Sequence, residues 1–235
     1  LAKRLRAHVE YLASPELQGR KPGTLGNRAA ADYIEARFRE ASLVPLPSLG
    51  GYGQTLSGEL GNNLIGLRPT STPTAAVPYL LIGAHYDHLG GNYLGADDNA
   101  SAVAILIELA RPLPPLSNHP VLFVAFNAEE PPYIRTPQMG SQHFTDHLPP
   151  EIGQLAALQA VIIMDIMGGV HWEPLREMIF AAGAEKSPGL YRRLKEAASR
   201  KALGVRSMES EVSHLTPDAS PLTILPVGLH LVEEI

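Results

Sequence analysis

The sequence predicts an α/β fold, a sheet covered by helices on both faces. Three observations predict it. The apolar runs in VPYLLIGAHYD and VLFVAFNAEE are continuous rather than alternating, as in strands buried on both sides. Helical stretches alternate with such runs along the chain. The chain has 235 residues, 45% of them apolar and 18% charged, enough to bury a full core without cross-links. Folds of this kind build their sites outside the carboxyl ends of the strands.

The elements follow in order. Residues 2–12 read as a helix with Leu5, Val9 and Leu12 on one face. ASPELQGRKPGTLGN is a Gly/Pro-rich loop. A second helix is expected over about 26–41, capped by Thr24 or Asn27, with Ala30, Tyr33, Ile34 and Phe38 facing inward. NNLIGLRP is a short strand and TSTPTAAVP a loop. VPYLLIGAHYD is a central strand, and Ser101–Arg111 is a buried helix. PLPPLSNHP links to the strand VLFVAFNAEE, and residues 138–147 form a short helix. AALQAVIIMDIMGG is a third buried strand and REMIFAAG a fourth. SPGLYRRLKEAASRKAL is an amphipathic helix capped by Ser187, and PLTILPVGLHLVEEI a fifth strand.

Composition excludes several functions. A net charge of −5 leaves no electrostatic footprint for nucleic acid or an anionic membrane. No apolar run is long enough to span a bilayer. There are no cysteines, so disulfides, thiolate nucleophiles and Cys-type zinc sites are ruled out, and metal ligands must be His, Asp or Glu. LAKRLRAHVEYLAS has neither a starting Met nor a signal-peptide apolar core, so a trimmed chain is expected.

Three apolar strands end in acid or His: at His85 and Asp87, at Glu129 and Glu130, and at Asp165. GADDNASA adds Asp97 and Asp98 where the first of them passes into a helix. Each cluster alone has an ordinary reading. His-x-Asp is common, Asp97-Asp98-Asn99 can be a helix cap, and Glu129-Glu130 can be a solvated strand end. Asp165 resists such a reading, because an acid among Ile162, Ile163, Met164, Ile166 and Met167 needs a partner. Converging at one sheet edge, the clusters have the makings of a two-metal site. Such a site needs a bridging carboxylate, terminal His and carboxylate ligands, and a carboxylate base that does not ligate. Adjacent glutamates offer both of the last two roles. His85 and Asp87 share one face of an extended chain, where Asp87 can orient the imidazole. No G-x-S-x-G motif marks a serine nucleophile.

HYDHLG, GADDNASA, FNAEE, MGS and MDIMGG, in this order, resemble the M28 family of zinc-dependent metallopeptidases. HVEYLASPELQGRKPGTLGNRAAADYIEARF resembles the opening segment of its exported bacterial members. The resemblance covers about residues 5–170 and implies one peptidase domain over 1–235. That domain would be a three-layer α/β/α fold with a mixed, mostly parallel central sheet. Two Zn2+ ions are expected, one being possible. His85 and Asp165 would bind one ion, Asp98 would bridge, and Glu130 would bind the other. Glu129 would be the general base acting on the water shared by the ions, and Asp87 would hold His85. A cis peptide is expected at Asp98–Asn99. The substrates would be peptides, most often losing their N-terminal residue, and the location periplasmic or secreted.

The family's last ligand, a late His on the Glu130-bound ion, lies on this reading beyond residue 235. His230 sits within the last strand, and His214 near a segment that Asp218-Ala-Ser-Pro fits better. His88 is expected to line the cleft, and His8, His119, His143, His147 and His171 to be surface or helix residues. Tyr86, Tyr133, Ile134 and Met139 could shape an apolar pocket or simply pack. LPVGLHLVEE also resembles glutaminyl cyclases, single-zinc enzymes of the same fold. A third reading is a binding domain that kept the fold without catalysis.

Overall fold

The computed structural model describes residues 1–70, 78–111, 119–168, 178–184, 186–209 and 223–227. The chain divides into two compact units, Leu1–Gly168 and Gly169–Ile235. Every ligand and base candidate of the strand ends belongs to the first.

That unit holds a five-stranded sheet: β1 (Gly53–Thr55), β2 (Asn62–Arg68), β3 (Tyr79–His85), β4 (Val121–Phe126) and β5 (Leu158–Ile163), in the order β1-β2-β4-β3-β5. β2 pairs antiparallel with β1 and β4, while β3 pairs parallel with β4 and β5. The sheet is therefore mixed, with its parallel part on the side of the strand-end acids. Every residue of β4 is buried, as its unbroken apolar run requires. β5 differs from the expected buried strand. It is the last strand of the described sheet, its burial alternates, and Val161 and Ile163 are 46% and 54% exposed.

Helices cover both faces, giving three layers. α1 (Ala2–Leu12), α2 (Leu25–Glu40) and α3 (Ala102–Ala110) pack Leu12, Ile34, Phe38, Val103 and Leu106 against Leu64, Ala84 and Phe123. On the other face α4 (Gly140–Asp146) sets Phe144 edge-on to Phe126, over Ile65, Leu81, Leu122 and Val124. Each such buried Leu, Ile or Phe side chain is worth about 1.5–3 kcal/mol. Thr24 caps α2 by accepting the Asn27 amide at 3.2 Å, the first of the two expected caps. β1 went unread because three residues are too few to show a period.

The second unit contains β6 (Met178–Ala182), α5 (Pro188–Glu209) and β7 (Thr223–Val227), with β6 and β7 parallel in register from Met178↔Thr223. His171, His214, Asp218 and His230 lie outside the described residues, as does the rest of the expected fifth strand. Among the described residues no helix is long and apolar enough to cross a membrane.

Candidate metal centre

The parallel register brings three strand ends together. His85 is the last residue of β3 and pairs with Phe126, the last of β4. Gly83 pairs with Ile163, and the Met164 amide donates to the Gly83 carbonyl at 2.8 Å. Two residues further along, Asp165 Oδ1 stands 3.4 Å from His85 Nε2.

Asp98 arrives from the opposite direction. After β3 the chain loops through Gly90–Gly95 and enters a wide helical turn, Ala96–Ser101, that leads into α3. The turn is kinked at Asp98 and Asn99, whose peptide bond is cis, as the resemblance implied. Asp98 Oδ1 lies 3.1 Å from His85 Nε2. Its neighbours in sequence do other work. Asp97 accepts the Gly168 amide at 2.7 Å, Asn99 the Ile166 amide at 3.2 Å, and Ser101 the Met167 amide at 3.0 Å. Asn99 also donates to the Met164 carbonyl at 3.1 Å. ADDNAS thus supplies one carboxylate and latches the turn that presents another, Asp165.

Glu129 and Glu130 follow β4 through a turn in which Ala128 has positive φ. Buried Asn127 bonds Asn27, the Leu60 carbonyl and the Ala128 amide. Asp87, fully buried, accepts the Glu129 amide at 3.1 Å through both oxygens and the Glu130 amide at 3.1 Å through one. It faces His85 Nδ1 at 3.7 Å, beyond hydrogen-bonding distance. Its hydrogen bonds therefore orient the glutamate turn rather than the imidazole.

Two ligand groups result, His85–Asp98–Asp165 and His88–Asp98–Glu130, each with its donor atoms within 4.8 Å of one another, and Asp98 belongs to both. Glu129 belongs to neither; its carboxylate lies 3.8 Å from His85 Nε2. Two atoms held by one tetrahedral zinc, each about 2 Å from it, stand roughly 3.3 Å apart. The 3.1 and 3.4 Å gaps around His85 match that spacing. Asp98 Oδ1 is also buried without a hydrogen-bond partner among the described residues. One imidazole nitrogen and two carboxylate oxygens suit zinc. The first group therefore fits an ion. In the second, His88 Nδ1 meets Glu130 Oε1 at 2.5 Å.

The charges reflect this crowding. Burial disfavours the His85 imidazolium, yet Asp165, Asp87 and Asp98 outweigh it and hold His85 well above the ordinary histidine range. The facing imidazole keeps Asp98 below the usual carboxylate range. Burial pushes Glu129 up to about 7, with Asp87, Asp165 and Glu130 adding repulsion. Burial and Asp98 push Glu130 up to about 7 as well.

The sequence pattern of Peptidase family M28 matches residues 63–223, which span the whole constellation. The chain belongs to peptidase family M28. Aminopeptidase YwaD of Bacillus subtilis (strain 168) is 29% identical over 169 residues, which cover 70% of the chain and 33% of that relative. A leucine aminopeptidase precursor from Bacteroides thetaiotaomicron superposes with a TM-score of 0.62 at 18% identity, covering 97% of this chain and 77% of that one. Porphyromonas gingivalis glutaminyl cyclase does so with a TM-score of 0.61 at 21% identity, covering 87% and 71%. The structural likenesses show a shared fold. The chain spans 31%, 33% and 34% of the lengths of the curated relatives it matches.

The M28 fold therefore gathers His85, Asp87, Asp98, Glu129, Glu130 and Asp165 at one edge. It also brings in His88, which the sequence reading left at the cleft wall. The signal was present in HYDH, but a turn after β3 is needed to carry His88 across to Glu130. Of the suggested pocket residues, Met139 lines a cavity of ≈ 300 Å³ beside His85, Glu129 and Asp165, with Leu81, Phe126, Phe144 and Ile163. Tyr86 instead is fully buried, its hydroxyl donating to the Asn62 carbonyl at 2.8 Å. His8 is a helix residue, as expected, and a buried one, between Tyr33 and Glu108.

Proposed function

We propose that this M28 chain is a zinc-dependent aminopeptidase that hydrolyses the first peptide bond of its substrates. The observation that carries the reading is the carboxylate of Asp98, shared by two ligand groups, with Glu129 beside them and outside both. His85, Asp98 and Asp165 would hold one ion, and Asp98 and Glu130, with His88 adjoining, the other. Bound zinc supplies polarisation of the scissile carbonyl and a lowered pKa for the attacking water. Glu129 takes a proton from that water and passes it to the departing amine as the C–N bond breaks. Its carboxylate form accepts the proton and its protonated form returns it. The acids around Asp98 and Glu130 favour a substrate's free α-ammonium. The apolar cavity beside Glu129 admits a side chain of similar character. Export from the cytoplasm accords with the likeness of the opening segment to exported members.

The glutaminyl cyclase reading is supported by the fold shared with Porphyromonas gingivalis glutaminyl cyclase. Zinc analysis, together with aminoacyl-anilide hydrolysis and cyclisation of an N-terminal Gln peptide before and after chelation, separates the two. Two zincs with chelator-sensitive hydrolysis are expected. One zinc with cyclisation alone overturns the peptidase, and no metal with no turnover leaves a binding domain.

A further inference from the structure

Arg20 is 1% exposed, among the largest fully buried side chains of the protein. It stands in the loop between α1 and α2, where nothing in the sequence singles it out. Gln18, Gly19 and Arg20 have φ of 48°, 66° and 50°. For the two non-glycine residues this costs on the order of 1 kcal/mol or more each. The turn sends the guanidinium inward. Its Nε donates to the Tyr86 carbonyl at 2.8 Å. Nη1 donates to Leu12 and, at 2.7 Å, to Leu94; Nη2 donates to Gly95 at 2.9 Å. Four of five N–H groups thus end on backbone carbonyls.

These acceptors sit at the metal centre's supports. Tyr86 lies between His85 and Asp87. Leu94 and Gly95 lead into the turn that bears Asp98. Leu12 ends α1, where amides of the cap reach the Val9 and Tyr11 carbonyls and Arg20 takes that of Leu12. The fit is close: Gly95 has φ 62°, and a Cβ there would fall 2.6 Å from Arg20 Nη2 and onto the Asp98 carbonyl. The charge is placed as deliberately. Burial lowers the guanidinium to about 10, while Asp87, Asp98 and Glu130 hold it up, so it remains a cation at neutral pH. Burying a cation to satisfy carbonyls alone is costly, since neutral donors would serve. The three carboxylates offset part of that cost.

We propose that Arg20 is a positioning residue of the metal centre: its buried fork holds the Tyr86 and Leu94–Gly95 backbones so that His85 and Asp98 stand at ion-binding separation. Its charge further offsets the carboxylates that must stay ionised to bind metal. The inference rests on the two-ion reading above.

Arg20→Ala would strand four carbonyls and endanger the fold, so the test uses Arg20→Lys and Arg20→Gln. Zinc affinity is measured by competition with a chromophoric chelator. Amide hydrogen exchange over residues 86–99 is followed in the metal-free protein, alongside circular dichroism. Lys keeps the charge without the planar fork; Gln keeps N–H donors without the charge. Zinc affinity about 10–100-fold weaker in Lys, and weaker again in Gln, is expected, on the scale of lost supporting partners of ligands. Faster exchange should be confined to 86–99. Unchanged affinity in both variants overturns the proposal. So does weaker binding with faster exchange throughout, which marks a merely structural arginine. A parent protein that binds no zinc overturns the two-ion reading instead, and the proposal with it.

Discussion

The two halves of the centre share Asp98 and differ in how they are closed. Around His85 the donor atoms stand 3.1 and 3.4 Å apart, as if about an ion. Around Glu130 the donor pair is shut by a 2.5 Å hydrogen bond from His88. The supports differ too. His85 ends β3, while Asp165 follows β5 by two residues in a turn that Asn99 and Ser101 latch. His88 and Glu130 stand on turns, held by Asp87 and by each other. Loop-borne polar groups pair with whatever is near when left alone, since a buried donor without a partner is costly. The first half thus has the spacing of atoms about one ion, while an ion in the second would replace the His88–Glu130 contact.

Asp98→Ala breaks both halves together. Zinc content should fall to background and anilide hydrolysis to the chelated level; zinc analysis and turnover check this. Retention of two ions would remove Asp98 from the bridge. Glu129→Gln leaves both halves intact. It should keep the parental zinc content while kcat falls by about 10²–10⁴, the usual worth of a general acid–base. Near-parental turnover would assign the proton transfer elsewhere.

The halves can then be set against each other. His85→Ala removes a ligand from the open half, and zinc affinity there should drop more than about 100-fold. His88→Ala frees Glu130, and the second ion's affinity should change by less than about tenfold. Calorimetric zinc titrations resolve the two steps. A large loss in His88→Ala would make it a ligand of equal standing.

The smallest effect is on stability. In the metal-free protein Glu129 and Glu130 titrate near 7 rather than 4.5, and His85 well above 6.5. All three are raised above their unfolded values, so each stabilises the fold below its unfolded pKa and loses that contribution as pH rises through the folded one. Thermal unfolding in chelator should therefore fall between about pH 5 and 8. With zinc present the trend should reverse, because ligands must lose their protons to bind. A rise with pH in chelator would contradict the crowded-carboxylate account.

Much of this was legible in the sequence, for particular reasons. His85, Asp98, the glutamate pair and Asp165 each end an apolar run, and one-dimensional patterns record such endings well. Asp165 stood out because an acid among isoleucines and methionines has no ordinary explanation. Where the charge of Asp97 goes was not legible, because adjacent acids differ only in which way the kinked turn aims them. β5 read as fully buried because composition cannot tell a central strand from the last one of a sheet. His88 and Arg20 were illegible for a common reason: their partners lie 42 and 66 or more residues away, apart from Leu12.

By itself, then, the sequence determined the fold class, through local periodicity, and which side chains have the chemistry to hold metal or move a proton; the family and the roles came from the resemblance of their motifs. Only the tertiary structure decided that Asp87 serves the glutamate turn, that His88 closes on Glu130, and that Arg20 joins the loops behind them. Those are distances between segments far apart in sequence, set by sheet register and by the packing of loops against one another.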